Sequence, residues 1–234
     1  MTPTDPPVPA GTPIASTPPE PPAPPAPPGD HATRDQLRAM AHPLRMQIAE
    51  RVGRRGSARA ADIAADLGIP ANSVSYHLRF LARGGVIEEA PDAARDRRDR
   101  VWRLAQQSFS PVSEGVTPDG SSVDRDYLEA SSATTLAALD WIRAGWVTEA
   151  AQRSARFPET REDRAPMMLF SNSLRLTRDE ADALFAEIRP ILARHAALHR
   201  DATGADLPEA ADDPDHTLTF RMLFALIGER PTTP

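Results

Sequence analysis

The chain has no cysteine and no lysine among its 234 residues. Without cysteine there is no disulfide, no thiolate metal site and no thiol redox switch. Every basic side chain but histidine is arginine, and with abundant alanine and proline this reads as the bias of a GC-rich genome rather than a functional choice. No apolar run reaches the length of a membrane span and no charged-then-apolar leader opens the chain, so a cytoplasmic protein is expected. A glycine-rich phosphate loop, a GxSxG elbow and an HExxH helix are equally absent. Nothing here supports an enzyme.

Charge is unevenly spread. The formal net charge of −6 would argue against a nucleic-acid partner if it were uniform. Residues 30–105, however, hold 14 Arg against 10 acidic residues, a balance of +4, whereas residues 106–234 carry −8 and the first 29 carry −2. The basic surplus is modest, and Asp92, Asp96 and Asp99 interleave with it, so moderate affinity for a phosphate backbone is expected.

That surplus surrounds the most informative stretch, Ala60 to Arg83. Ala61, Ile63, Ala64 and Leu67 give a first short helix an apolar face, and Gly68 ends it. Pro70 cannot extend that helix but fits just before the next. There Val74, Leu78 and Leu81 recur at spacings of four and three as a buried stripe. Asn72, Ser73, Ser75, Tyr76 and Arg79 lie off the stripe, where a helix entering the DNA major groove carries its base-reading side chains. Arg79 and Ser75 are the strongest candidates, against the alternative of a merely solvated face. His77 neighbours Leu78 and either packs against the first helix or reaches a phosphate.

The flanks extend the pattern. Thr33-x-x-Gln36 is a capping box opening a helix, and His42-Pro43-Leu44-Arg45 precedes an apolar-periodic run, Met46, Ile48, Ala49 and Val52, over about 44–54. Ser57 to Arg59 reads as a short strand or turn. Downstream, Gly84-Gly85 breaks the second helix, and Val86 to Glu89 and Val101 to Leu104 read as paired strands. Their tip carries Arg95, Arg97, Arg98 and Arg100. The HPLR segment, the SVSYHLRFL helix and the ribbon, in this order over roughly residues 33–105, resemble an ArsR-type winged helix-turn-helix transcriptional regulator. The resemblance implies a homodimer on palindromic double-stranded DNA, with Arg97, Arg98 and Arg100 of the wing on phosphates or in the minor groove. The alternative for those arginines is local Asp–Arg pairing, worth little energetically. The cysteine pairs that many metal-sensing members use are missing.

Residues 1–29 hold 13 of the 25 prolines and almost no large apolar side chain, and are expected to be disordered or polyproline II. Residues 106–123 read as a Ser/Pro/Gly-rich linker. A long helix over about 124–156 follows, with Leu128, Ser132, Thr135, Leu139, Ile142 and Trp146 at near-heptad spacing, a seam where small neighbours would let another helix approach. The remainder reads strand, helix, strand. Met167 to Leu176 alternates, and Thr177-x-x-Glu180 caps a helix to about His199 with a buried stripe of Ala181, Leu184, Ile188, Ile191, His195 and Leu198. Pro190 predicts a kink in it. His216 to Ile227 reads as a strand apolar on both faces.

His195 and His199 stand one turn apart, a spacing that can hold a metal, but cations are favoured in a last helical turn and His195 falls on the apolar stripe. No metal and no cofactor is assigned. The acidic loop 201–215 lacks the glycine punctuation of a calcium loop and reads as solvated. Trp141, Trp146 and Phe157 are read as core or as the lining of a small-molecule pocket. The whole is an α+β protein: a tail (1–29), a mostly helical winged helix-turn-helix DNA-binding domain (30–105), a linker (106–123) and a C-terminal α+β dimerisation or effector domain (124–234). It is expected to be a DNA-binding transcriptional regulator that responds to a small organic effector or a protein partner. A protein–protein interaction module that no longer binds DNA is the alternative.

Overall fold

The computed structural model describes residues 31–94, 99–112, 115–117, 119–155, 167–208 and 218–228. The proline-rich tail and the wing-tip residues 95–98 lie outside them.

Helix α1, Arg34–Met40, starts as the capping box requires: the Thr33 hydroxyl accepts from Gln36 N–H, and Gln36 Oε1 accepts from Thr33 N–H at 2.8 Å. Helix α2, Pro43–Arg54, has proline in its first turn, where the missing N–H costs nothing, and His42 as its cap. Strand β1, Ala58–Arg59, leads into helix α3, Ala60–Leu67, which ends at Gly68 in the left-handed region with φ 64°. Helix α4, Ala71–Arg83, follows Pro70. Strands β2, Ile87–Glu89, and β3, Val101–Leu104, complete an antiparallel sheet of order β1-β3-β2, in which Glu88 faces Arg103 and Ala58 faces Trp102.

The core gathers Ile48 and Val52 of α2, Ile63 of α3 and Val74, Leu78 and Leu81 of α4 beneath Ile87 and Trp102 of the sheet. Each such side chain contributes about 1.5–3 kcal/mol by leaving water. The expected stripe of α4 is thus its buried face. In α3 the face narrows to Ile63, Ala64 and Leu67, because Ala61 points outward.

Helix α5, Arg125–Ala155, packs on α1 and α2. Its buried face is Tyr127, Ala130, Thr134 and Ala137, which leaves Leu128, Ser132, Thr135, Leu139 and Trp146 of the expected seam exposed and Ile142 half-buried. Two buried hydroxyls choose this register. Tyr127 Oη donates to the Ala32 carbonyl at 3.0 Å and accepts from Val112 N–H at 2.8 Å, and Thr134 Oγ1 donates to the Leu37 carbonyl at 2.7 Å. Residues 109–112 of the expected linker are therefore packed between α1 and α5, where Ala32 N–H donates to the Ser110 carbonyl at 2.8 Å.

The C-terminal part departs further from expectation. Helix α6, Arg178–Ala196, begins with its capping box and runs through Pro190 into a 3-10 turn at 197–199. Its expected stripe is not buried: Ala181, Leu184 and Ile188 are half-buried, and Ile191, His195 and Leu198 are exposed. Neither 167–176 nor 218–227 is a strand, since alternation marks two faces but a strand also needs a hydrogen-bonded neighbour; His216 and Thr217 of the second expected strand lie outside the described residues. Phe170, for one, is 88% exposed. The acidic loop is not simply solvated at its start. Asp206 N–H donates to the Arg54 carbonyl at 2.8 Å, satisfying a free group at the end of α2, while the Asp206 carboxylate pairs with Arg54.

No helix among the described residues is long and apolar enough to cross a membrane. The architecture is α+β: a helical N-terminal region with a small antiparallel sheet, then a further helical part.

Candidate nucleic-acid interface

Because Val74, Leu78 and Leu81 face the core, the 100° step of the helix turns the polar residues of α4 away from it. Asn72, Tyr76 and Arg79 are exposed, Tyr76 to 56%, and Ser73 and Ser75 are partly so. All five expected residues therefore share the accessible side of one helix. Arg79 makes no ion pair or hydrogen bond among the described residues, so its fork of donors is open to a partner. Asn72 Oδ1 accepts from Ser73 N–H at 2.9 Å, while no side chain caps the start of α4.

Two further arginines flank Phe80 of the helix. Arg45 of α2 lies over the Phe80 ring at 4.2 Å, with Arg83 over the same ring at 5.3 Å. Burial lowers the Arg45 guanidinium from its ordinary value, against a smaller raising influence of Tyr76.

The ribbon is different. Arg100 pairs with Glu89 at 2.9 Å and lies 5.8 Å from the Trp102 ring centre. Arg103 Nε donates to Glu88 at 2.9 Å, with Asp92 at 3.3 Å. Arg59 holds Asp62 at 2.8 Å and Asp99 at 3.5 Å, and that hydrogen-bonded pairing pulls the Asp62 carboxyl down to about 2. Phosphates would have to compete with these carboxylates. Of the expected wing residues, Arg95, Arg97 and Arg98 lie outside the described ones.

His77 meets the start of α2. It is half-buried against His42, the cap of α2, a contact with no signal in local spacing because 35 positions separate the two. The elements on the C-terminal side contribute a separate aromatic contact, with Arg221 over the Trp141 ring at 5.0 Å. Trp146 is exposed, and Phe157 lies outside the described residues. His195 and His199 are both exposed at the end of α6, and no group of three or more metal-ligating side chains occurs among the described residues.

Residues 40–90 match a family model described as a helix-turn-helix domain. Among solved structures, a mutant of ZitR from Lactococcus lactis in its apo form is similar over 69% of this chain and 85% of that one, at 14% identity and a TM-score of 0.26. No curated protein matches the chain.

Proposed function

From a helix-turn-helix domain with an open polar face on its second helix, we propose that this protein is a sequence-specific DNA-binding transcriptional regulator of ArsR-like type. The observation that carries the reading is α4 itself: one face locked into the core, the other offering Arg79, Tyr76, Ser75, Ser73 and Asn72. In the bound state Arg79 forks onto a guanine edge, the short hydroxyls and Asn72 contact bases or backbone, and Tyr76 packs on the groove wall. The wing arginines Arg97, Arg98 and Arg100 add sequence-independent phosphate contacts, Arg100 by exchanging Glu89 for phosphate.

The protein works as a homodimer, since one helix reads a half-site too short for specificity. The exposed line Leu128, Leu136 and Leu139 on α5, with Ser132 and Ala133 between, suits close approach by the same helix of a second copy. An organic effector acts near Trp141 and Trp146 by binding DNA-competent and incompetent dimers unequally. Neither a metal nor catalysis has a role in this reading, and the protein acts in the cytoplasm.

One observation favours the other reading, an interaction module without DNA: the acid-paired arginines of the ribbon. Repeated selection of a random-sequence duplex pool by the purified protein separates the two. Enrichment of one inverted-repeat sequence supports regulation of an operator, and a pool that stays random with no retained DNA refutes it.

A further inference from the structure

Two imidazoles meet where α2 begins and α4 passes it. The rings of His42 and His77 have centroids 5.6 Å apart, and Tyr76 sets an edge against His77 at 5.3 Å. His42 caps α2 through Nδ1, which accepts from Leu44 N–H at 3.1 Å. A ring nitrogen accepts only while it carries no proton. His77 Nδ1 is buried with no hydrogen-bond partner, so a proton placed there would be a buried charged donor with nothing to receive it.

Among the described residues the surroundings offer no compensation. His77 faces His42 and Arg45 from α2 and Tyr76 from its own helix. The carboxylates on the elements packed around α4 are held by arginines. Asp35 of α1 lies by Arg34, Asp62 and Asp66 of α3 bind Arg59 and Arg55, Glu50 of α2 lies between Arg51 and Arg54, and Glu88 and Glu89 of β2 bind Arg103 and Arg100. Burial first, then the charges of His42 and Arg45, pushes the His77 imidazole below the usual histidine range.

We propose that the His42–His77 contact is a proton-sensitive junction that holds the recognition helix in its DNA-reading pose only while both rings are neutral. The proposal rests on the DNA-reading role of α4 given above. Protonating His42 turns its cap acceptor into a donor aimed at Leu44 N–H, and protonating His77 adds a positive charge beside His42 and Arg45. Both events loosen the same contact between α2 and α4. For a histidine depressed in the folded state, the stability it contributes is complete above its unfolded value, about 6.5, and is lost as pH falls below that. Histidines that merely sit near phosphates behave oppositely, since the polyanion favours their charged form and binding tightens on acidification.

The test follows the imidazole and backbone nitrogens of the full-length protein by NMR from pH 8 to pH 5. In parallel, anisotropy measures affinity for the fragment recovered from the random pool. The junction predicts an unprotonated His77 Nδ1 at pH 7.5, and protonation that displaces the amides of Leu44 and of residues 76–80 together. It predicts affinity falling from pH 7.5 to 5.5, by at most the about tenfold that excluding one proton from an unshifted histidine allows. His77→Gln should flatten that profile, and so should His42→Asn, which keeps a capping oxygen. Protonation of His77 that leaves the α4 amides unmoved overturns the proposal, as does affinity that rises on acidification. If no fragment binds specifically at any pH, the regulatory reading fails, while the NMR titration still decides the junction.

Discussion

Replacing Gly84 by alanine should destabilise the protein, although glycine-to-alanine changes usually do the reverse. Gly84 ends α4 at φ −82°, a conformation any residue adopts, so alanine brings no backbone strain. By restricting the unfolded chain it would ordinarily stabilise by about 0.4–1 kcal/mol. Here the added Cβ collides with Ala39 Cβ and stands 3.0 Å from the Asp35 carbonyl oxygen, both on α1. Helix α1 cannot readily retreat, because Leu37 is fully buried behind it against Tyr127. Overpacking of this kind costs about 1–3 kcal/mol, leaving a net loss of up to about 2.5 kcal/mol. Urea unfolding followed by circular dichroism measures it. Ala39→Gly is the diagnostic companion, since it removes the opposing methyl at a helix-propensity cost of about 1 kcal/mol. The double variant should be more stable than the sum of the two single losses predicts, by about 1 kcal/mol. A neutral or stabilising Gly84→Ala, additive with Ala39→Gly, would refute the close approach of α1 to α4.

Neutralising Arg97, Arg98 and Arg100 together should weaken binding to all DNA alike and flatten its salt dependence, by about one counterion per lost phosphate contact; an unchanged slope places the wing off the DNA. Sedimentation at tens of micromolar without DNA should give a dimer, and Leu128→Glu with Leu136→Glu should give a folded monomer. A wild-type monomer, or a dimer indifferent to both charges, rejects the α5 interface. Zinc or nickel should leave tryptophan fluorescence and DNA affinity unchanged; zinc-dependent release that vanishes in His195→Ala, His199→Ala would restore metal sensing.

The N-terminal elements were legible because their determinants are local. Thr33 and Gln36, Gly68 at positive φ, and the four-three spacing of Val74, Leu78 and Leu81 each act within a turn or two of helix. The same spacing on α4 placed the candidate reading residues on one face. What the sequence hid is set at long range. The register of α5 is chosen by Tyr127 and Thr134, whose acceptors lie 95 and 97 residues away, and small Ala130 and Ala137 look less like core than Leu128 or Leu139 do. The His42–His77 contact and the docking of Asp206 on the end of α2 are likewise non-local. In 167–176 the alternation of Met168, Phe170 and Leu174 describes a surface, whereas a ladder depends on a partner that periodicity cannot supply.

If α4 reads bases, Arg79→Ala removes its discriminating contact. Affinity should be measured at one fixed salt concentration for the selected fragment and for random duplex of equal length. A forked Arg–guanine contact predicts a loss of about 1–3 kcal/mol on the selected fragment and almost none on random DNA. Loss of neither contradicts the assignment of α4 as the recognition helix.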